Sequence, residues 1–196
     1  MSGIGFGEFR TVEPIEVELL TAAYGITGTI HSPFRRVADI LNQLPGGHLV
    51  VEGATIVEHA VPTASQRAAS ALVPVDEVIV LVAPSLVGET SAEMRILKNP
   101  AHAVLSIPPF RLEGTIHVPV ESRPVDGLLN IPDRFLPMTD ATLVSVAHPE
   151  LDREVPILAL RRDRAHVIVV GETDDMAGRR ASDATGEAFP EPEGVG

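Results

Sequence analysis

The chain has no cysteine and no tryptophan, and only one tyrosine among its 196 residues. Without cysteine it can form no disulfide, no thiolate metal site, no iron–sulfur cluster and no cysteine nucleophile. Because 44% of the residues are hydrophobic but only 4% are aromatic, a packed interior has to consist of valine, isoleucine, leucine and alanine. β-Branched side chains suit pleated sheets, and the 17 prolines and 16 glycines supply many turns. The composition therefore predicts a mainly β protein.

Long apolar runs and a secretory signal are also missing from the sequence. No apolar stretch approaches the roughly 20 residues that cross a bilayer, and the first ten residues lack the basic and apolar regions of a signal peptide. We therefore expect a cytoplasmic protein without membrane contact. The net charge of −12 repels a phosphate backbone, which makes nucleic acid an unlikely partner.

The common catalytic motifs are absent as well. The sequence has no P-loop, no dinucleotide-binding glycine pattern after a strand, no nucleophile elbow and no H-E-x-x-H pair. We accordingly predict no catalytic residue, no metal site and no cofactor.

Two stretches of the chain repeat the same pattern. Residues 26–33, ITGTIHSP, return 86 positions later as LEGTIHVP, and residues 36–57 match residues 123–144 without a gap at a spacing of 87. Further along, residues 78–80 and 167–169 share the sequence Val-Ile-Val. Within the first stretch the identical pairs are Gly28 and Gly114, Thr29 and Thr115, Ile30 and Ile116, His31 and His117, and Pro33 and Pro119.

The repeat predicts a tandem duplication of a small antiparallel β-barrel-like domain with one short helix per unit. We expect an N-terminal extension (1–13), a first β repeat (14–83), a linker (84–99), a second β repeat (100–171) and a disordered acidic tail (172–196). The tail carries seven of the 27 acidic residues and little apolar surface. Related units can share one self-complementary surface, which favours a pseudo-two-fold arrangement.

Periodicity predicts the elements within each unit. Residues 16–20 and 24–31 form strands, 35–44 a short helix, and 48–52 and 54–58 two strands around Gly53. Residues 71–74 and 78–82 then form a closing hairpin. In the second unit Pro124 and Gly127 predict a shorter helix or only a turn.

Three motifs occur in both units: G-x-I-x-x-P (28–33 and 114–119), R-x-x-D-x-L (36–41 and 123–128) and a closing apolar strand (78–82 and 167–170). In these motifs the chain resembles an uncharacterised bacterial family of small β domains, and this resemblance implies no activity. The spacing of Asp126 and Asn130 is also similar to that of Sm-like RNA-binding barrels, although Asp39 and Asn42 lie one residue closer together. The Sm-like resemblance implies binding of a nucleotide or RNA.

Three sets of polar residues are candidates for a site. His31 and His117 occur in both repeats, and they are either metal ligands or bases, interface residues, or structural strand residues. Arg161, Arg162 and Arg164 form a basic cluster that we expect in a solvated hairpin turn.

The third set consists of an arginine and an aspartate three residues apart in each repeat, Arg36 with Asp39 and Arg123 with Asp126. Such a pair forms an ion pair or caps a helical turn, or its arginine lines a groove for an anionic ligand or partner.

Both repeats retain architectural residues but no catalytic set. We therefore expect a non-catalytic scaffold or binding module that forms a homo-oligomer or binds a protein partner. The alternative is a small-ligand or nucleotide-binding Sm-like protein that uses His31, Arg36 and their counterparts.

Overall fold

A computed structural model describes residues 11–44, 47–86, 98–120 and 123–171. These residues form ten strands and two short helices, so the predicted mainly β class is confirmed. The strands are β1 (Glu13–Leu20), β2 (Tyr24–Ser32), β3 (His48–Glu58), β4 (Ser65–Pro74), β5 (Val80–Val82), β6 (Lys98–Ile107), β7 (Phe110–Pro119), β8 (Phe135–Val144), β9 (Arg153–Arg161) and β10 (Val167–Gly171). The helices are α1 (Val37–Asn42) and α2 (Pro124–Leu129). No helix within the described ranges is long and apolar enough to span a membrane. The predicted tail and most of the predicted linker lie outside the described residues.

All ten strands belong to one sheet, in the order β10-β6-β7-β8-β9-β5-β1-β2-β3-β4. Every neighbouring pair is antiparallel. In the described part of the chain no pairing joins β4 to β10, so the sheet has two ends and the predicted barrel does not close there.

The strand order is the same in the two halves of the chain. In the first half, β5 is followed across the sheet by β1, β2, β3 and β4. In the second half, β10 is followed in the same way by β6, β7, β8 and β9. The irregularities recur too, because the register shift between Thr27 and Thr29 returns between Glu113 and Thr115. The left-handed backbone at Gly53 (φ 57°) likewise returns at Asp140 (φ 50°).

The pairing registers define which residues of the two halves are counterparts. The spacing is 86 residues in the first two strands of each half and 87 from α1 onward. Val80 lies opposite Leu20, and Val167 lies opposite Ser106, so Val80 corresponds to Val167. The sequence match of residues 78–80 with 167–169 is therefore two residues out of register, because an apolar run looks alike in any register.

Several predicted elements differ from the observed ones. Residues 48–58 form one strand with a bulge at Gly53 instead of two strands. The helices have equal lengths, because Pro124 occupies the first helical turn, where its missing N–H costs no hydrogen bond.

The predicted closing hairpin is wrong. β4 and β5 lie on opposite sides of the first half, with β1, β2 and β3 between them. β5 is buried at all three residues and fits inside the sheet, whereas β4 is largely exposed and fits an edge.

The two halves join where β5 pairs with β9, and we call this pairing the central joint. Val80 lies opposite Leu160, and Leu81 lies opposite Ala159. The joint pairs the fifth strand of the first half with the fourth strand of the second half. The two halves therefore contact each other through strands that are not counterparts. A two-fold contact would pair like strands. The expected self-complementary meeting of the halves is therefore not observed, and the halves are joined head to tail.

Each half has its own hydrophobic core, and the two cores lie on opposite faces of the sheet. Leu19 belongs to the core that α1 covers, whereas its neighbour Leu20 points the other way and packs into the core of the second half. Conversely, Phe135 and Ala159 of the second half pack into the core of the first. Because each core contains residues of both halves, the halves are not separate bodies joined only by a linker.

Candidate functional site

His31 and His117 lie on different strands and have different partners. His31 is half exposed on β2, with Nε2 3.3 Å from Glu52 Oε2. His117 lies on β7, with Nε2 3.4 Å from Thr139 Oγ1, and its burial, reinforced by the charge of Lys98, lowers its pKa. Four strands lie between β2 and β7 in the sheet order, and no contact among the described residues joins the two histidines. The two histidines therefore have separate partners, Glu52 for His31 and Thr139 for His117.

The predicted arginine and aspartate pairs behave differently in the two halves. Arg123 Nε lies 2.7 Å from Asp126 Oδ2, and this hydrogen bond raises the pKa of the exposed arginine. Among the contacts of the described residues no ion pair joins Arg36 to Asp39, and Arg36 instead precedes α1 as its N-cap. α1 packs on β8 and β9, whereas α2 packs on β7 and β10, so the two pairs do not line a shared groove.

A small hollow beside α2 contains His117. Its walls include Lys98, Asp133 and Leu136, and its volume is about 90 Å³. Pockets for drug-sized ligands usually enclose roughly 300–1,000 Å³. A nucleotide does not fit this hollow. No group of three or more His, Asp or Glu side chains in the described ranges could hold a metal ion.

Four charged residues form a network beside the central joint. Arg134 Nη2 lies 2.6 Å from Asp76 Oδ1, and the resulting hydrogen bond lowers the pKa of the Asp76 carboxyl. Arg161 Nε lies 2.7 Å from Asp163 Oδ1, and Arg161 also donates to the Asp76 carbonyl. Burial acts to raise the pKa of Asp163, but the hydrogen bonds and charges of both arginines outweigh it and lower that pKa.

The predicted solvated position of Arg161 is wrong. Its side chain is buried and connects the two halves. One signal was available, because Asp76 and Asp163 occupy counterpart positions in the two short 3₁₀ turns at Val75–Glu77 and Arg162–Arg164.

Three further polar contacts cross between the halves, and one of them is the donation of Arg164 Nη2 to the Asp76 carbonyl at 3.2 Å. The Asn42 side chain in α1 donates to the Phe135 carbonyl and accepts from the Phe135 N–H, both at 2.9 Å. Arg153 Nη2 on β9 lies 2.7 Å from Glu18 Oε2 on β1. The Asn42 contact satisfies both backbone groups of Phe135 at the start of β8, and the contact of Arg153 with Glu18 adds an ion pair to the joint.

His59 is a buried histidine that the sequence analysis missed. Its ring meets Phe110 of the other half edge-on at 5.8 Å and lies 5.2 Å from the ring of His148. Its Nε2 is 3.2 Å from the Thr21 carbonyl oxygen. Burial is the main cause that lowers the pKa of His59. The contact with Phe110 places His59 in the packing between the halves.

Large apolar side chains are exposed on both halves of the sheet. The first-half surface comprises Tyr24, Val50, Val61 and Leu72. The second-half surface comprises Val125, Leu129, Val146, Val167 and Val169. Leu72 lies on β4 and the last two valines lie on β10, so both surfaces include an end of the sheet. Sequence patterns could not identify these surfaces, because they depend on which strands become edges.

We compared the chain with protein-family models, curated proteins and solved structures, and none of them matches it. The resemblances drawn from the sequence motifs therefore stay predictions, and the candidate surfaces are judged on their geometry.

Proposed function

We propose that the protein is a non-catalytic scaffold module, derived from a tandem duplication, that assembles with further copies of itself through the two ends of its sheet. The common strand order and the recurring bulges support the duplication. The separate partners of His31 and His117 support a role that does not depend on one site shared by the two histidines.

The observation that carries the proposal concerns counterpart positions. Six apolar residues of the two surfaces are 44 to 95% exposed, whereas their counterparts in the other half are at most 7% exposed. The exposed residues and their buried counterparts are Tyr24 and Phe110, Leu72 and Ala159, Val125 and Ala38, Val146 and His59, Val167 and Val80, and Val169 and Val82. Positions that are covered in one half and exposed in the other support an assembly in which a further copy covers them.

The backbone supports the same conclusion. β4 and β10 each pair on one side only within the described chain, so a row of N–H and C=O groups is available at each end. Such edges readily pair with another strand. At the central joint β5 already pairs with β9, and these two strands are the counterparts of β10 and β4.

A small-ligand function is the second candidate, and the hollow beside α2 favours it. Lys98 and His117 supply cationic or donor groups there, beside Asp133. The volume suits a small ion and not a nucleotide. A thermal-shift screen with inorganic phosphate and other small ions tests this candidate, because a bound ion would raise the unfolding temperature.

Light scattering after size-exclusion chromatography over a range of concentrations tests the scaffold function. We expect a mass that rises with concentration above that of one chain. A mass of one chain at every concentration would contradict the proposal.

A charged variant tests whether the surfaces cause the association. Leu72→Lys should weaken association at least about tenfold, because it places an unpaired charge in an apolar contact. Val120→Lys changes the net charge equally at an exposed valine outside both surfaces and should have little effect.

A further inference from the structure

We infer that β10 of one copy pairs with β4 of the next copy in the register of the central joint, so that copies add head to tail in an open row. This inference rests on the proposed self-assembly and specifies its geometry. At the central joint Val80 lies opposite Leu160 and Leu81 opposite Ala159. The counterpart pairs place Val167 opposite Val73 of the next copy and Ile168 opposite Leu72 of the next copy.

The helices extend the match beyond the paired strands. α1 packs on β8 and β9, and its residues share a core with Phe135 and Ala159. When the same packing is applied to the counterpart residues at the contact between copies, Val125 and Leu129 of α2 lie over His48 and Leu72 of the next copy. The exposed apolar residues of α2 thereby gain the cover that α1 already has.

The contact between the rings of His59 and Phe110 also predicts a contact between copies. The counterpart of His59, Val146, is 95% exposed, and the counterpart of Phe110 is Tyr24. The contact between His59 and Phe110 therefore predicts that Val146 meets Tyr24 of the next copy. The same neighbourhood brings Val61 of the next copy, the counterpart of His148, close to Val146. The single tyrosine of the chain thus becomes part of the contact between copies.

The strand directions predict an open row. Five antiparallel steps separate β6 from its counterpart β1, so the two strands run in opposite directions. The halves accordingly bury opposite faces of the sheet, with Leu19 in one core and its counterpart Leu105 in the other. Because the buried face alternates from half to half, the curvature of one half is reversed in the next. A head-to-tail contact that does not curve back on itself produces an open assembly and not a ring.

The contact between copies differs chemically from the central joint. The polar residues of the central joint have counterparts that cannot form the same links: Leu129 for Asn42, Gly47 for Arg134, Pro74 for Arg161, Glu77 for Arg164, Val104 for Glu18 and Gln66 for Arg153. Arg161 donates its backbone N–H to the Ile79 carbonyl. Its counterpart Pro74 has no N–H and cannot make the same hydrogen bond. The contact between copies is therefore mainly apolar and weaker, so that assembly is reversible while the central joint is permanent.

Engineered cysteines test this pairing directly, because the chain has none of its own. We would prepare a Leu72→Cys chain and an Ile168→Cys chain and oxidise them separately and mixed, since opposed strand residues lie within disulfide range. The mixture should give a covalent dimer, while neither chain alone should. A chain with both substitutions should give a ladder of covalent oligomers. Val120→Cys mixed with Ile168→Cys is the matched control and should give no dimer.

A second pair of substitutions tests the same contact at exposed side chains, where a cysteine leaves the core of the protein unchanged. Tyr24→Cys and Val146→Cys change two exposed side chains, and a short bis-maleimide should link them only in the mixture of the two chains.

The outcomes separate this inference from the proposed function. Covalent dimers of either single-cysteine chain alone would mean that like strands meet, and would overturn the head-to-tail row. A single closed species from the chain with both substitutions would overturn the open row. Oligomers in light scattering without any specific cross-link would overturn the register but leave the scaffold function in place. A mass of one chain at all concentrations would overturn both.

Discussion

Gly28 and Gly114 lie where β2 and β7 pass closest to the neighbouring strand. A Cβ on Gly28 would lie 2.6 Å from the Glu52 carbonyl oxygen, and a Cβ on Gly114 would lie 2.9 Å from the Thr139 carbonyl oxygen. The position needs glycine because backbone atoms occupy the space of a side chain. Each glycine adjoins the register shift of its strand. The same steric requirement therefore acts in both halves.

Gly28→Ala should destabilise the protein by about 1–3 kcal/mol, because the backbone of β3 has to move away from the new methyl group. Urea unfolding measures the change. Gly25→Ala is the control, since its Cβ would find its nearest neighbour at 3.6 Å, an ordinary contact. Gly25→Ala should leave stability unchanged or raise it slightly. An equal loss in both variants would contradict the steric explanation.

His59 makes stability depend on pH. Burial lowers the pKa of His59 below its ordinary value of 6.5, so the folded state binds fewer protons than the unfolded chain in mildly acidic solution. The pKa of His117 is also lowered, again mainly because of burial. Their contribution to stability is fully present above the unfolded pKa and is lost as the pH falls through 6.5 toward the folded pKa.

The free energy of unfolding should therefore decrease between about pH 7.5 and about pH 5.5. The pKa values of Asp76 and Asp163 are lowered from 3.8, so their contribution is lost only in more acidic solution. His59→Gln should flatten the decrease, because glutamine can donate to the Thr21 carbonyl without titrating. Equal pH profiles for His59→Gln and the unchanged protein would contradict this assignment.

At the scale of the elements, α1 and α2 have equal lengths but different neighbours. α1 is covered by strands of the other half, and its Asn42 bonds both backbone groups of Phe135. The counterpart of Asn42 is Leu129 on α2, which is exposed. One helix therefore helps to hold the halves together, while the other presents an apolar residue to solvent or to the next copy.

Asn42→Ala should lower the free energy of unfolding by about 2–4 kcal/mol, because it leaves the buried N–H and C=O of Phe135 without partners. Chemical denaturation at a dilution that keeps the protein monomeric measures this loss. Leu129→Ala is the matched control on α2 and should change monomer stability by less than about 0.5 kcal/mol. A small effect of Asn42→Ala would show that the central joint does not depend on this contact.

At the scale of the whole molecule, charge and apolar surface act against each other in assembly. The net charge of −12 makes copies repel one another. The contact we infer between copies contains no counterpart of the ion pairs at the central joint, so salt has no attraction to screen there. Screening should weaken only the repulsion.

Raising the salt concentration from about 20 mM to about 300 mM should therefore strengthen association, because the Debye length falls from about 20 Å to about 6 Å and the repulsion between copies is screened. Sedimentation velocity at several concentrations measures the change. Leu72→Lys should stay less associated at both salt concentrations. Dissociation of the unchanged protein by salt would indicate that ion pairs hold the copies together and would contradict the apolar contact.

The sequence by itself determined the β class, the recurrence of Gly28 at Gly114 and the positions of both short helices. Local rules decide these features: β-branched composition favours sheets, a glycine marks a close backbone approach, and apolar spacing marks a helix. The spacing of 86 and then 87 residues also came from local identities, and the strand registers follow it. Local rules did not determine the register of residues 78–80, since any apolar run satisfies them.

Only the tertiary structure decided which strands pair across the halves. β5 is buried because β9 lies beside it, whereas its counterpart β10 is at an edge, although both strands read as short apolar runs. The burial of Arg161, the contact of His59 with Phe110 and the exposure of Leu72 all follow from that one pairing. Strand pairing joins residues that are distant in the chain, and its free energy depends on what covers both faces. A local pattern therefore cannot distinguish an inner strand from an edge strand.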